Sequence, residues 1–177
     1  MYTQKIFLVF SLLIISIVAQ RDKKKTCIHN LVINGTNLIT SHRKQLLVLG
    51  VINLNTQSSR IQANRYNDLY RELERYNIRD SVVRIALINE QNAEQNYVGD
   101  SYDKIPLYQD NSRDHLVRRL SDHKQTINNY VFGRCGYLVF SQEYPDSNLN
   151  DGKNYQELLR VITTAVKNKR RCQNICS

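Results

Sequence analysis

Residues 46–62, LLVLGVINLNTQSSRIQ, decide the fold of this chain. The segment opens at Leu46 with an unbroken aliphatic run, which is typical of a strand that is covered on both faces of a sheet. A short polar turn follows, in which Asn55, Thr56 or Ser58 can cap a helix by accepting a hydrogen bond from a free backbone N–H group. The sequence therefore predicts a buried strand that leads directly into a helix.

The segments that follow extend this pattern into a strand, helix, strand unit. Apolar residues recur near the helical period as far as about Tyr76, which predicts one long amphipathic helix. Residues 81–89, SVVRIALIN, are rich in β-branched side chains and predict a second strand. Two strands joined by a helix form a right-handed parallel crossover, so the fold class is α/β.

The second half of the chain predicts a connecting region, a hairpin and a closing helix. Residues 104–110, KIPLYQD, predict a short strand that Pro106 confines to a sheet edge or to its own beginning, and Ser112 is expected to cap a short helix after it. Residues 129–140, NYVFGRCGYLVF, read as an antiparallel hairpin around two glycines. An amphipathic helix from about Tyr155 then closes the chain, giving β-α-β followed by β-β-α.

The amino-terminal segment has the features of a secretory signal. A charged start precedes the apolar run IFLVFSLLIISIVA, which is shorter than the roughly 20 residues of a membrane span. We expect residues 1–19 to be removed, residues 20–177 to form one extracellular domain, and no other segment to cross a bilayer. The alternative is a single amino-terminal anchor.

Four cysteines, Cys27, Cys135, Cys172 and Cys176, follow the predicted signal. An even count in a secreted chain predicts disulfides, and the three complete pairings remain open; Cys135 paired with Cys27 would tie the amino-terminal segment to the sheet. Cys172 and Cys176 are the candidates for a redox pair, because neighbouring Lys and Arg residues lower a thiol pKa. Asn34-Gly35-Thr36 is an acceptor sequence for N-glycosylation.

Other kinds of site find little support. The four histidines lack metal-ligand spacing, and no phosphate loop or Ser-His-acid context is present, so we predict neither a metal nor a cofactor. The net charge of +9 favours anionic partners. Arg71, Arg75 and Arg79 are candidates for binding an extracellular polyanion such as heparan sulfate, although an ordinary solvated helix face explains them as well. Nucleic acid is not expected, since an aromatic stacking motif is lacking.

The chain resembles the amino-terminal domain of the selenoprotein P family, which has a thioredoxin-like fold. The resemblance rests on landmarks along nearly the whole predicted mature chain. These are Cys27, the sequon at residues 34–36, VLGVINLN at 48–55, IPLYQD at 105–110, YVFGRCGYLVF at 130–140 and KRRCQNICS at 169–177. The resemblance implies extracellular selenium transport and antioxidant defence, although residues 20–177 include nothing like the selenocysteine-rich tail of that family.

The resemblance places Thr56 and Ser59 where the family carries a selenocysteine-x-x-cysteine pair. A hydroxyl ionises too weakly to be activated as a thiol is at a helix amino terminus, and it forms no reversible disulfide. We therefore expect Thr56 and Ser59 to be capping groups. Thioredoxins also place a cis-proline before the hairpin strand, where this chain has Asn128 and Asn129.

These observations favour a secreted, selenoprotein P-like domain that is redox-inactive and acts as a binding or scaffold protein. The alternative, from a different functional class, is a secreted thiol oxidoreductase that uses Cys172 and Cys176.

Overall fold

A computed structural model describes residues 26–28, 31–93, 104–121, 127–168 and 172. The predicted signal peptide at residues 1–19 and Cys176 lie outside the described residues, so both predictions about them stay predictions. No helix within the described ranges is long and apolar enough to cross a membrane.

The helices and strands occur in an order that confirms the predicted arrangement. In chain order they are β1 (Thr26–Cys27), β2 (Val32–Ile33), β3 (Thr36–Asn37), α1 (Leu38–Ser41), β4 (Leu46–Ile52), α2 (Gln57–Arg75), β5 (Val83–Asn89), β6 (Leu107–Gln109), α3 (Leu116–Leu120), β7 (Asn128–Phe132), β8 (Tyr137–Gln142) and α4 (Gly152–Lys167). The short elements before β4 were not predicted.

Strand β4 lies inside a mixed sheet of order β1-β8-β7-β4-β5-β6. It pairs in parallel with β5, which confirms the predicted crossover, and antiparallel with β7 of the hairpin. β6 pairs in parallel with β5 and ends the described sheet on that side, as Pro106 predicted. β2 and β3 form a separate two-stranded sheet.

Both faces of β4 are covered, which explains its unbroken aliphatic sequence. Leu46, Val48 and Ile52 belong to a core shared with α2 and α4. Leu47 and Leu49, on the opposite face, belong to a second core with α1 and α3. A strand between two cores has no solvent-facing side chains, so its apolar residues do not alternate with polar ones.

The start of α3 differs from the prediction. Ser112 does not cap this helix; the carboxylate of Asp110, which is buried, accepts hydrogen bonds from the backbone N–H groups of Leu116 (3.0 Å) and Val117 (2.9 Å). His115 stands at the cap position in a left-handed conformation and makes no capping bond from its side chain. The spacing between Asp110 and the helix is longer than that of an ordinary cap, so sequence spacing did not indicate it.

Candidate functional site

The turn between β4 and α2 is a capping site. Thr56 is the cap residue of α2, and its Oγ1 accepts a hydrogen bond from the backbone N–H of Ser59 over 3.2 Å. The buried Ser59 hydroxyl accepts in turn from the backbone N–H of Asn53 over 3.1 Å. Both hydroxyls thus hold the strand end and the first turn of the helix together.

Among the residues that the structure describes, the hydrogen-bond partners of Thr56 and Ser59 include no general base. The hydrogen-bond partners that the structure gives Thr56 and Ser59 are backbone groups and the Ser58 hydroxyl. A serine or threonine becomes a nucleophile only beside a group that takes its proton. The described residues also contain no cluster of His, Cys, Asp or Glu that could hold a metal ion. The hydrogen bonds that the structure gives this turn join the end of β4 to the start of α2.

Asn129 lies opposite Gly50 of β4 and occupies the start of the hairpin strand, where thioredoxins place a cis-proline. Its Oδ1 accepts hydrogen bonds from Gln62 Nε2 over 3.1 Å and from the Tyr66 hydroxyl. Its Nδ2 donates to Gln142 Oε1 over 3.0 Å and to the Ser147 carbonyl over 2.8 Å. Sequence analysis marked this position only by its missing proline and gave no sign of the network.

The network lies wholly inside the protein. The side chains of Gln62, Asn129 and Gln142 are nearly inaccessible to solvent, and so is Tyr66. Burial raises the pKa of the Tyr66 hydroxyl, which therefore stays protonated and donates to Asn129. The cis peptide bond among the described residues, Tyr144–Pro145, follows β8 and does not replace the thioredoxin proline.

A disulfide joins Cys135, in the β7–β8 turn, to Cys172, beyond the end of α4. Its Cα atoms are 5.4 Å apart, within the ordinary range for a disulfide. The suggested Cys27–Cys135 pairing is therefore wrong, and so is a Cys172–Cys176 redox pair, because Cys135 takes Cys172. Cys27 is also disulfide-bonded. The sequence left the pairing open because it does not show which cysteines lie close together in the fold.

A shallow groove of about 230 Å³ lies beside this disulfide. We call it the hairpin groove, and it is lined by Leu46, Gly133, Arg134, Cys135, Tyr137, Val139, Ala165 and Asn168. Cys135 is half-buried at its wall, whereas Cys172 is exposed. Among the described residues that line the groove, Arg134 carries the charge. Its Nη2 donates a hydrogen bond to the Val166 carbonyl over 3.2 Å.

The three arginines proposed for polyanion binding lie at the surface. Arg71, Arg75 and Arg79 are exposed, and Arg75 Nη1 lies 3.1 Å from Glu72 Oε2. An exposed ion pair of this kind is weak and leaves the arginine accessible. Their binding of heparan sulfate stays a prediction.

Asn34 lies in the turn between β2 and β3 with a positive φ of 51°. Its side chain is exposed, and its Oδ1 accepts a hydrogen bond from Asn111 Nδ2 over 3.1 Å. This geometry leaves the turn at the surface. Glycosylation of Asn34 and the extracellular location stay predictions.

Comparison with solved structures identifies the fold. A thioredoxin-like protein in its oxidised form superposes with a TM-score of 0.58 at 10% identity, over 84% of this chain and 99% of that chain. A putative protein disulfide isomerase from Bacteroides thetaiotaomicron gives 0.53 at 12% identity, over 73% and 78% of the two chains. BsSco, of the Sco family of cytochrome c oxidase assembly proteins, gives 0.52 at 16% identity, over 73% and 85%. The chain has a thioredoxin-like fold.

The assignment to the selenoprotein P family is wrong. The structural neighbours named above are a thioredoxin-like protein, a putative protein disulfide isomerase and a Sco protein, and none of these three is a selenoprotein P. No family model and no curated protein matches the sequence. Three of the landmarks, at residues 48–55, 105–110 and 130–140, lie on β4, on β6 and on the β7–β8 hairpin, so they mark elements of the sheet.

One buried polar atom of the thioredoxin-like domain has no partner among the described residues. This atom is Nε2 of His42, in the turn after α1. Burial lowers the pKa of His42, the positive charge of Arg84 lowers it further, and a hydrogen bond with the Gln45 side chain opposes both effects. The folded protein therefore disfavours the protonated imidazole.

This histidine should make stability depend on pH. Because the folded-state pKa of His42 lies below the unfolded value of about 6.5, the unfolded state binds more protons, and stability should fall as the pH drops through and below about 6.5. When the pH is lowered from 7.5 to 5, we expect the unfolding free energy of His42→Asn to fall by less than that of the wild type. Urea unfolding at the two pH values measures the difference; an identical loss in both proteins would contradict it.

Proposed function

We propose that this protein is a thiol–disulfide exchange protein whose reactive group is the Cys135–Cys172 disulfide. The observation that carries the proposal is the position of this bond: Cys172 is exposed, and Cys135 lies at the wall of an open groove. Exchange requires a thiolate to reach a disulfide sulfur, so access is its first condition. The protein would thus be a thiol oxidoreductase, as the alternative prediction stated, but with Cys135 and Cys172 as the reactive pair in place of Cys172 and Cys176.

The charged residues that precede the two cysteines in the sequence favour exchange. Arg134 directly precedes Cys135, and Lys167, Lys169, Arg170 and Arg171 precede Cys172 in the sequence. Nearby cations stabilise a thiolate and lower the pKa of its thiol. A disulfide whose thiols are acidic releases its leaving group easily and is more oxidising than a structural disulfide. The charge pattern thus supports a bond that can be opened.

The relationship to known folds agrees with this class of function. The Sco-family neighbour is described as having a disulfide switch, and another neighbour is named a putative protein disulfide isomerase. In this chain the turn after β4 holds Thr56 and Ser59, so its exchange chemistry needs a different location. The Cys135–Cys172 disulfide lies at the end of β7 and beyond α4, outside that turn.

The proposal is tested by the reduction potential of this disulfide. The protein is equilibrated in redox buffers, its thiols are trapped in acid and alkylated, and the cysteines are located by peptide mass spectrometry. We expect Cys135 and Cys172 to be half-reduced between about −270 and −120 mV, the range of thioredoxin-fold exchange proteins. The Cys27 disulfide, read from the same digest, serves as an internal control.

The opposing outcome is a structural disulfide. Such bonds in secreted proteins are reduced only below about −300 mV. If Cys135 and Cys172 stay oxidised down to that potential, they hold the hairpin to the end of the chain and the exchange function is excluded.

A further inference from the structure

We infer that exchange at this disulfide is directional: the incoming thiolate attacks Sγ of Cys135 from the hairpin groove, and Cys172 is the leaving thiol. The inference rests on the proposed exchange function. It specifies which of the two sulfurs is attacked and which class of thiol attacks it. It follows from access, from the environment of each sulfur and from the lining of the groove.

Access favours Cys135 for a thiol held in the groove. Exchange proceeds through attack on one sulfur of the bond while the other leaves. Cys135 lines the hairpin groove, whereas Cys172 is not among the residues described at its wall. A thiolate bound in the groove therefore meets Cys135 at the groove wall, and its attack on that sulfur would release Cys172.

The environment of the two sulfurs favours Cys172 as the leaving group. Cys172 is exposed, so water solvates its thiolate, and a basic run precedes it in the sequence. Attack in the opposite direction would place the negative charge on Cys135, which is half-buried and has one neighbouring cation in the sequence, Arg134, against the four that precede Cys172. Desolvation in apolar surroundings raises a thiol pKa and makes a poor leaving group.

The lining of the groove identifies the class of substrate. Leu46, Val139 and Ala165 supply apolar surface, and Arg134 supplies a positive charge that attracts an anionic nucleophile. These groups fit a thiolate with an apolar side chain beside it, as in a peptide dithiol with a neighbouring aliphatic or aromatic residue. A small hydrophilic thiol would gain only the attraction of the charge.

The reaction balances with a dithiol as the only co-reactant. One substrate thiolate forms a bond to Cys135 Sγ, the Cys135–Cys172 bond breaks, and its electron pair goes to Cys172 Sγ. The second substrate thiolate then attacks the substrate sulfur of the mixed disulfide and releases Cys135 as a thiolate. The substrate dithiol thus loses two electrons to the protein disulfide, and the two protons lost when its thiols ionise are balanced by protonation of the Cys172 and Cys135 thiolates.

The test locates the first bond that forms. The whole protein is exposed briefly to benzyl mercaptan, quenched in acid, alkylated and digested, and the two modifications are mapped. We expect the benzyl group on Cys135 and the alkyl group on Cys172, in excess of about ten to one over the reverse arrangement. A benzyl group mainly on Cys172 would overturn the direction and leave exchange intact. No adduct on either cysteine would remove the exchange function and this inference with it.

A groove variant tests the entry route. Val139→Thr keeps the β-branched shape of the strand residue and makes the groove wall more polar, so we expect it to slow benzyl mercaptan about three- to tenfold relative to 2-mercaptoethanol. Ile61→Thr, at an exposed aliphatic position on α2, is the matched control and should leave the ratio of the two rates unchanged. Equal slowing of both thiols by Val139→Thr would overturn entry through the groove.

Discussion

Replacing Asn129 with leucine is expected to lower the free energy of unfolding by about 3–5 kcal/mol, because buried groups that lose their hydrogen-bond partner each cost about 1–3 kcal/mol. The variant takes the acceptor from the Tyr66 hydroxyl and the donor from Gln142 Oε1, both inside the core. Leucine has the same branched shape as asparagine but is larger, and it satisfies neither group. Urea unfolding followed by circular dichroism measures the loss.

The control for this variant is Asn150→Leu, at an exposed asparagine. Surface substitutions of this kind change stability by about 0.5 kcal/mol or less. A loss below about 1 kcal/mol for Asn129→Leu would mean that its partners find other hydrogen bonds. The network would then not be what fixes the hairpin strand against α2.

The contrast between β4 and Asn129 shows what the sequence can predict. The bounds of β4 and α2 follow from hydrophobic pattern and helix propensity, which are local properties of neighbouring residues. Asn129 has partners on α2, on β8 and in the loop after β8, and asparagine is depleted in strands. Nothing local distinguishes it from a surface residue, so only the assembled fold gives it a role.

In the candidate site, too, some features could be predicted from neighbouring residues and others depend on the assembled fold. Thr56 and Ser59 were predicted to be capping groups; Thr56 does cap α2, because capping needs only the right residue next to a helix start, whereas the Ser59 hydroxyl accepts from Asn53 at the end of the strand. The Cys135–Cys172 pairing was not predicted, because it depends on the 5.4 Å between two Cα atoms that are far apart in the chain. The family assignment failed because short matching segments were taken as evidence of ancestry.

Replacing Gly50 with valine is expected to cost about 3–5 kcal/mol, because overpacking a closed core forces side chains and backbone to move. A Cβ atom at Gly50 would lie 2.6 Å from the ring of Tyr66 and 2.7 Å from Leu87 Cδ2. Tyr66 is fully buried, and its hydroxyl is held by Asn129, so the ring has no free direction in which to move. Chemical unfolding measures the loss.

Two comparisons separate this steric cost from the general cost of changing a glycine. Gly152→Val, where an added Cβ meets no atom within 4 Å, should cost less than about 1 kcal/mol. Gly50→Ala combined with Tyr66→Leu should lose less stability than the sum of the two single variants, since a smaller side chain at position 66 gives the new Cβ room. Strict additivity would mean that the Tyr66 ring does not set the space at Gly50. A smaller loss for the double variant would mean that the Tyr66 ring sets the space at Gly50, and the same tyrosine donates a hydrogen bond to Asn129. The losses of unfolding free energy in Asn129→Leu and Gly50→Val would then share one cause, the fixed position of Tyr66 between α2 and the centre of the sheet.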